Sequence, residues 1–205
     1  MKSMSNLPFR VVTTLAMSLM FSVSAFGAEQ KAVFAGGCFW GVEAVFEHVK
    51  GVIDVRSGYA GGTKEAATYE QVGTGDTKHA ESVEIRFDPA KVTYEQLLSV
   101  FFAVAHDPTE VNRQGPDVGT QYRSAIFYAD EKQKRSAKAF ILALESSKAF
   151  DKPIATEVVP LVEFFVAEKY HQDFLKNNPD DPYIVAHDLP KLAALKAKFP
   201  TFYRG

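Results

Sequence analysis

The chain has 205 residues, of which 46% are hydrophobic and 13% aromatic, and its formal net charge at pH 7 is −2. This near-neutral charge argues against nucleic acid or an anionic membrane surface as the main partner, because both call for a basic face. The length and apolar content are those of a soluble protein that buries one core. Cys38 is the only cysteine among the 205 residues, so no disulfide can form between two of them.

The first residues have the pattern of an export signal. A start that carries a lysine and an arginine is followed by an apolar run over residues 11–23, which is shorter than the ~20 residues needed to span a bilayer. Cleavage after Ala25 or after Gly27 would fit the small residues that come next. We therefore predict a secretory signal over residues 1–27, one domain over residues 28–205, and a periplasmic or secreted location. A retained membrane anchor is the weaker alternative.

Hydrophobic spacing predicts the first elements after the signal. A short apolar run over residues 31–35 ends in a double glycine and predicts a buried strand. From Cys38 the apolar residues recur at helical steps until Gly51, and residues 52–60 return to strand composition. The helix carries its charged side chains opposite its apolar stripe: Glu43, Glu47 and Lys50.

The rest of the chain alternates strands and helices. A strand is predicted over residues 79–88, and a capping box of Thr93 and Gln96 then starts a helix. A polar loop over residues 106–121 follows, long enough that we expect it to form a wall of a functional site. The last predicted elements are a strand over 122–129, a helix capped by Asp130, a strand-like stretch over 155–167 broken at Pro160, and two short helices.

This order predicts an α+β fold, a ferredoxin-like β-α-β-β-α-β two-layer sandwich with a mixed sheet and additional C-terminal helices. A doubly wound parallel fold fits less well, because two consecutive strands have no helix between them.

Cys38 stands where a thiol gains reactivity. It follows Gly36-Gly37 and opens a helix, whose unpaired N–H groups stabilise an anion, so we expect an acidic thiol that is partly thiolate at neutral pH. The alternative is a buried cysteine that acts as a small apolar residue. Phe39 continues the apolar stripe, whereas Trp40 lies off it and is expected in an exposed position over a pocket, where a methyl or thioether group would pack well.

Glu81 is the second candidate. Strand alternation places it on one face with Val83, Ile85 and Phe87, which is the core face. Burial among apolar groups would raise its pKa and leave it protonated near neutral pH, able to donate a proton. Alternatively, the strand starts one residue later and Glu81 lies at its solvated end. The alternation alone leaves both interpretations open.

The segment Gly36-Gly37-Cys38-Phe39-Trp40-Gly41 resembles the signature of the A-type peptide methionine sulfoxide reductases (MsrA). Further segments that resemble this family follow in order along nearly the whole remaining chain: Gly58-Tyr59-Ala60-Gly61-Gly62, Thr68-Tyr69, His79-Ala80-Glu81, His106-Asp107-Pro108-Thr109, Asn112-Arg113-Gln114-Gly115, Asp117-Val118-Gly119-Thr120-Gln121-Tyr122-Arg123-Ser124 and Tyr170-His171-Gln172.

The resemblance implies an oxidoreductase that acts on the S epimer of methionine sulfoxide, free or within oxidised proteins and peptides, and repairs them after oxidative stress. It implies that the Cys38 thiolate attacks the sulfoxide sulfur and becomes a sulfenic acid, and that Glu81 protonates the oxygen. It also implies that no metal and no organic cofactor is bound.

The resemblance assigns supporting roles to five more residues. Tyr69 and Tyr122 would hydrogen-bond the sulfoxide oxygen, and Asp117 would help to hold the polar network. Phe39 and Trp40 would hold the methyl group of the substrate. We expect only structural hydrogen bonds from His106 and His171.

The chain departs from the family pattern at its end, where many members carry resolving cysteines. Residues 200–205 contain none, so an external thiol, from a thioredoxin-like protein, glutaredoxin, glutathione or similar, would have to reduce the sulfenic acid. We expect a monomer with no stable membrane insertion. Three smaller departures are Ala67 for proline, Lys78 for glycine and Pro116 for asparagine, and Lys78 could perturb Glu81.

Two other functions compete with this interpretation. A cysteine hydrolase or acyltransferase would need a histidine base paired with Cys38, and His48 lies on the same helix but does not face the thiol end. A non-catalytic methionine-binding module would use an aromatic pocket and would have no use for an acidic thiol.

Overall fold

The computed structural model describes residues 28–205, so the predicted export signal lies outside the described residues. The strands and helices in chain order are β1 (Gln30–Gly36), α1 (Phe39–Glu47), β2 (Val52–Ala60), α2 (Tyr69–Gly73), β3 (Ala80–Phe87), α3 (Tyr94–Val100), β4 (Arg113–Gln114), β5 (Asp117–Val118), β6 (Ser124–Tyr128), α4 (Glu131–Ser146), β7 (Glu157–Pro160), β8 (Phe164–Val166), α5 (Phe174–Asn177) and α6 (Leu189–Lys198). A π-helical turn over Phe101–Ala105 prolongs α3, and another over Ile184–Asp188 leads into α6.

A six-stranded sheet has the order β7-β6-β1-β3-β2-β8. Its four inner strands are antiparallel to one another, as a ferredoxin-like sandwich requires. The edge strand β7 pairs parallel to β6 and makes the sheet mixed, while β8 pairs antiparallel to β2 at the other edge. The predicted β-α-β-β-α-β order, mixed sheet and C-terminal helices are confirmed.

The predicted helix starts are also confirmed. The Thr93 side chain accepts from the backbone N–H of Gln96, whose own side chain accepts from the backbone N–H of Thr93. The Asp130 side chain accepts from the N–H of Gln133 and starts α4. Each cap satisfies an N–H group that has no partner within the helix, which contributes about 1 kcal/mol. The predicted loop over residues 106–121 is more regular than expected, because it contains the β4–β5 hairpin.

Apolar side chains cover both faces of the sheet. The larger cluster packs one face against α1 and α3, and its largest fully buried members are aromatic: Tyr59, Phe34, Phe39, Phe46, Phe87 and Phe101. A smaller cluster lies on the other face and includes Val33, Ala35, Ala125 and Phe127. Burial of each large apolar side chain stabilises the fold by about 1.5–3 kcal/mol. No helix within residues 28–205 is both long and apolar enough to cross a bilayer.

Candidate active site

The end of β1 and the start of β3 bring the two leading candidates together. The chain leaves β1, turns at Gly37 with a φ of +87° and starts α1 directly after Cys38. A side chain on Gly37 would collide with Gln114 from the loop over residues 106–121. The backbone N–H of Phe39 donates a 3.1 Å hydrogen bond to Glu81 Oε2. The carboxyl group of Glu81 therefore lies at the helix start, one residue from the thiol.

Glu81 lies on the buried side of its strand and not at a solvated end. Its exposed fraction is 3%, and its neighbours two and four residues along β3, Val83 and Ile85, belong to the larger apolar cluster. Burial raises the pKa of Glu81 to about 8; the Phe39 N–H bond opposes this rise and the charge of Asp117 adds to it. The structure thus places Glu81 on the core face, and its burial favours a carboxyl group that keeps its proton near neutral pH.

The prediction of an acidic thiol is wrong for this structure. Cys38 is only 8% exposed, and burial raises its pKa well above the usual value, with the charges of Glu81 and Asp188 acting in the same direction. The backbone N–H of Trp40 and the ammonium of Lys191 lower the pKa, but by less. The helix start does favour the thiolate. Desolvation and two nearby carboxyl groups outweigh it.

Tyr69, Tyr122 and Asp117 lie close to this pair. Burial raises the pKa of both tyrosines, and the charges of Glu81 and Cys38 contribute to each rise. Both phenols therefore keep their protons and can donate hydrogen bonds. Tyr69 is 37% exposed, whereas Tyr122 is half-buried.

Asp117 belongs to β5, within the loop over residues 106–121. Its side chain accepts a hydrogen bond from the Tyr183 hydroxyl. Its charge raises the pKa of both Glu81 and Tyr122. The predicted contribution of this loop to the site is therefore supplied by the β4–β5 hairpin and its flanks. Tyr183 was not predicted from the sequence.

Trp40 is half-buried, not exposed. Its ring stacks on Phe174 at a centroid distance of 3.6 Å and an interplanar angle of 7°, and its Nε1–H donates to His171 Nδ1 at 3.1 Å. Tyr183 meets the indole edge-on at 6.0 Å. Phe39 is buried below, 1% exposed, with its ring 5.0 Å from that of His171. Sequence analysis missed Phe174, since its segment carries no motif.

The other histidines have structural contacts. His106 is buried, with Nδ1 3.1 Å from the carbonyl oxygen of Phe101 and Nε2 2.7 Å from Ser124 Oγ, and burial lowers its pKa to about 4. His48 lies at the opposite end of α1 from the thiol, where its Nδ1 is 2.7 Å from the carbonyl oxygen of Ala44. Neither arrangement offers the imidazole base that a cysteine hydrolase requires.

Asp188 and Lys191 form a further pair that sequence analysis missed. The Asp188 side chain is completely buried, and its Oδ1 accepts from Lys191 Nζ at 3.1 Å. Both residues lie at the start of α6, more than 140 positions along the chain from the thiol. Nothing in the local pattern of residues 184–191 signals this contact.

The three smaller departures are placed as follows. Lys78 has a φ of +63°, in the left-handed region that glycine adopts most readily. The groups that shift the pKa of Glu81 do not include Lys78. Ala67 packs against the larger apolar cluster, and Pro116 lies in the turn between β4 and β5.

In a comparison with known proteins, residues 30–202 match the family model described as peptide methionine sulfoxide reductase. A Mesorhizobium japonicum protein named peptide methionine sulfoxide reductase MsrA 2 is 58% identical over 174 residues, which cover 85% of this chain and 89% of that protein. A Synechocystis protein of the same name is 57% identical over 178 residues, 87% of this chain and 83% of its own.

Two solved structures are also similar. Reduced Mxr1 from Saccharomyces cerevisiae has a TM-score of 0.68 at 32% identity, over 74% of this chain and 87% of that chain. Methionine sulfoxide reductase A of Corynebacterium diphtheriae has a TM-score of 0.65 at 36% identity, over 75% of this chain and 76% of its own.

Proposed function

The chain belongs to the MsrA type of the peptide methionine sulfoxide reductase family, and from this premise we propose how its residues carry out the reduction. The substrate is the S epimer of methionine sulfoxide, free or within proteins and peptides. Cys38 attacks the sulfoxide sulfur while Glu81 protonates the oxygen. The observation that carries this proposal is the 3.1 Å hydrogen bond from the Phe39 N–H to Glu81, which fixes the carboxyl group beside the thiol.

Glu81 is suited to the acid step. A sulfoxide oxygen leaves sulfur readily only after protonation, so the reaction needs a proton donor opposite the nucleophile. With a pKa of about 8, Glu81 holds its proton at neutral pH. A carboxylic acid of normal pKa would have lost that proton.

The raised pKa of Cys38 adds one requirement, because the thiol must lose its proton as it attacks. Glu81 becomes a carboxylate once it has protonated the sulfoxide oxygen, and it can then take up the thiol proton. In the net reaction, the Cys38 thiol and the sulfoxide are converted to the Cys38 sulfenic acid and a thioether. One oxygen moves from one sulfur to the other, and Glu81 ends as it began.

The neighbouring side chains position the substrate. The phenols of Tyr69 and Tyr122 are protonated donors for the sulfoxide oxygen, and Asp117 stabilises this polar network. The half-buried indole of Trp40, fixed by its stack on Phe174, is the surface for the methyl group. Phe39 supports that surface from below.

The catalytic cycle then needs an external thiol. Cys38 is the only cysteine in these 205 residues, so the sulfenic acid has no intramolecular partner. We propose that a first thiol condenses with Cys38–SOH to give a mixed disulfide and water, and that a second thiol releases reduced Cys38. A thioredoxin-like protein, glutaredoxin or glutathione can supply these thiols, with no bound metal or organic cofactor.

The export signal predicted over residues 1–27 leads us to propose a periplasmic or secreted monomer that repairs oxidised envelope proteins. The near-neutral charge supports protein clients and not nucleic acid. Expression of the full chain and mass measurement of the processed protein test the location and the cleavage site. Full-length protein retained in the cytoplasm would contradict it.

Turnover of a peptide that contains one methionine sulfoxide, with dithiothreitol as reductant, tests the activity. We expect loss of the S epimer only, abolished by Cys38→Ser. Mass spectrometry after one turnover without reductant is expected to find one added oxygen on Cys38. No loss of sulfoxide would exclude the mechanism and favour a binding module. Equal turnover by Cys38→Ser would exclude Cys38 as the nucleophile.

A further inference from the structure

The first turn of α1 is crowded with acidic groups. The N–H of Phe39 donates to the Glu81 carboxyl group, and the backbone N–H of Trp40 lowers the pKa of the Cys38 thiol. A helix start carries only about half a positive charge, concentrated on such N–H groups. Two acidic groups therefore already lie at one helix end.

Asp188 brings a third acidic group to the same turn. Its Oδ1 lies against Gly41, in the space that a side chain at that position would fill. Lys191 Nζ lies there as well, 2.7 Å from the position of a Cβ on Gly41. The absence of a side chain at Gly41 thus admits a charged pair to the first turn of the helix.

Asp188 depends on Lys191 for its charge. Its side chain is completely buried, Lys191 bonds to Oδ1 at 3.1 Å, and Oδ2 has no hydrogen-bond partner among residues 28–205. A buried carboxylate with a free oxygen is costly unless a cation lies beside it. The two residues therefore form a nearly neutral pair whose halves act on their surroundings in opposite directions.

We propose that Asp188 and Lys191 are positioning residues that set the reactivity of Cys38 from across the first turn of α1. The proposal rests on Cys38 as the nucleophile of the reaction proposed above. In the intact pair Asp188 holds Lys191 and reduces the help that the ammonium gives to a thiolate. The thiol consequently stays protonated until the acid step at Glu81 draws its proton away, which protects a lone cysteine from unproductive oxidation.

The electrostatics support this division of roles. The charge of Asp188 raises the pKa of Cys38, and the charge of Lys191 lowers it. The groups that face the thiol are Glu81, Asp188, Lys191 and the phenols of Tyr69, Tyr122 and Tyr183. Those that face Asp188 are Lys191, His187 and Asp117. Lys191 is the only cation among the residues that shift the pKa of Cys38 within the described part of the chain.

The experiment measures alkylation of Cys38 by iodoacetamide against pH, without substrate. The chain has one cysteine, so the rate reports that thiol alone. Asp188→Asn keeps the side-chain shape and frees Lys191, and we expect the pKa of Cys38 to fall by about one unit, with roughly tenfold faster alkylation at pH 7. Lys191→Met is expected to slow alkylation by less, because the unpaired Asp188 takes up a proton.

Lys196→Met is the matched control, since Lys196 is exposed on the same helix and its ammonium lies 5.7 Å from the ring centre of Tyr203. Its alkylation profile should equal that of the wild type. Unchanged profiles for folded Asp188→Asn and Lys191→Met, or shifts of both in one direction, would overturn the proposal. If Asp188→Asn does not fold, the slower alkylation expected for Lys191→Met decides alone. Failure of the proposed activity would leave these profiles intact, since they require no sulfoxide.

Discussion

Acidic side chains whose pKa is raised by burial lie against both halves of α1, and they differ in use: Glu81 reaches the start of the helix from β3, whereas Glu43 and Glu47 belong to the helix itself. At the N-terminal end burial raises the pKa of Glu81 to about 8. In the C-terminal half burial, with the charge of Glu47 next in size, raises the pKa of Glu43 to about 8. Burial and the adjacent Asp173 raise the pKa of Glu47 to about 7. A raised pKa therefore does not by itself mark a catalytic acid in this molecule.

What differs is the neighbourhood of each carboxyl group. Glu81 is held by a free N–H group at the helix start, beside a thiol. Glu43 instead accepts a 3.3 Å hydrogen bond from the N–H of Ser57 on β2, and the charges that raise its pKa are those of Glu47 and Asp173. Burial therefore raises the pKa of both carboxyl groups, but only Glu81 lies beside a nucleophile whose reaction can use its proton.

Replacing the acid at the helix start should produce the largest effect. Glu81→Gln keeps the side-chain volume and an acceptor for the Phe39 N–H but has no proton to give. We expect the single-turnover rate of sulfoxide reduction to fall by about 10²–10⁴-fold. Lower pH should not restore it, because glutamine does not titrate. Rapid-quench measurement of methionine formed in one turnover checks both points.

Glu43→Gln is the matched control for that variant, since it removes a carboxyl group of the same pKa from the other half of the helix. Its single-turnover rate should equal that of the wild type. A loss as large as that of Glu81→Gln would mean that the rate follows the packing of α1 and not the acid beside Cys38. A normal rate in Glu81→Gln would place the proton donor elsewhere.

The carboxyl groups of the C-terminal half should instead control stability. The pKa of Glu43 is about 4.5 when unfolded and about 8 when folded, so the folded state binds more protons between these values. Its contribution to stability is complete below pH 4.5 and is lost as pH rises to 8. Glu43→Gln should therefore be more stable than the wild type at pH 8 by on the order of 1–3 kcal/mol, with little difference at pH 5.

Urea unfolding at pH 5, 6, 7 and 8 measures this slope. Glu47→Gln should also reduce the change in the free energy of unfolding with pH, but over a narrower pH range that ends at about pH 7. A wild-type stability that rises between pH 5 and 8, with Glu43→Gln parallel to it, would mean that the folded pKa of Glu43 is normal.

The sequence predicted the elements well because their signals are local. The capping box of Thr93 and Gln96, the Asp130 cap and the double glycine before Cys38 each act within a few residues. Strand alternation likewise placed Glu81 on the core face, and the resemblance chose between the two interpretations that the pattern left open. These features need no knowledge of distant parts of the chain.

The parts that were missed depend on contacts between distant segments. Helical spacing placed Glu43 opposite the apolar stripe of α1, yet it is only 1% exposed. The thiol was expected to be acidic because the sequence shows the helix start. It does not show the burial of Cys38, which raises the pKa most, or the nearby carboxyl groups of Glu81 and Asp188. Phe174 lies in a short segment, and no periodicity in the sequence predicts that its ring stacks on Trp40. Such long-range burial decides the electrostatics of the site.

Lys78→Gly should give the smallest effect of these variants. It tests whether the lysine charge affects the pKa of Glu81. Lys78 holds a φ of +63°, which costs a residue with a side chain more than glycine. We expect the variant to gain about 0.5–1 kcal/mol in urea unfolding. The pH dependence of the single-turnover rate should not move, since burial, the Phe39 N–H and Asp117 set the pKa of Glu81. A shifted profile with unchanged stability would show instead that the lysine charge reaches Glu81, and the acid at the helix start would then be tuned from the surface as well as by burial.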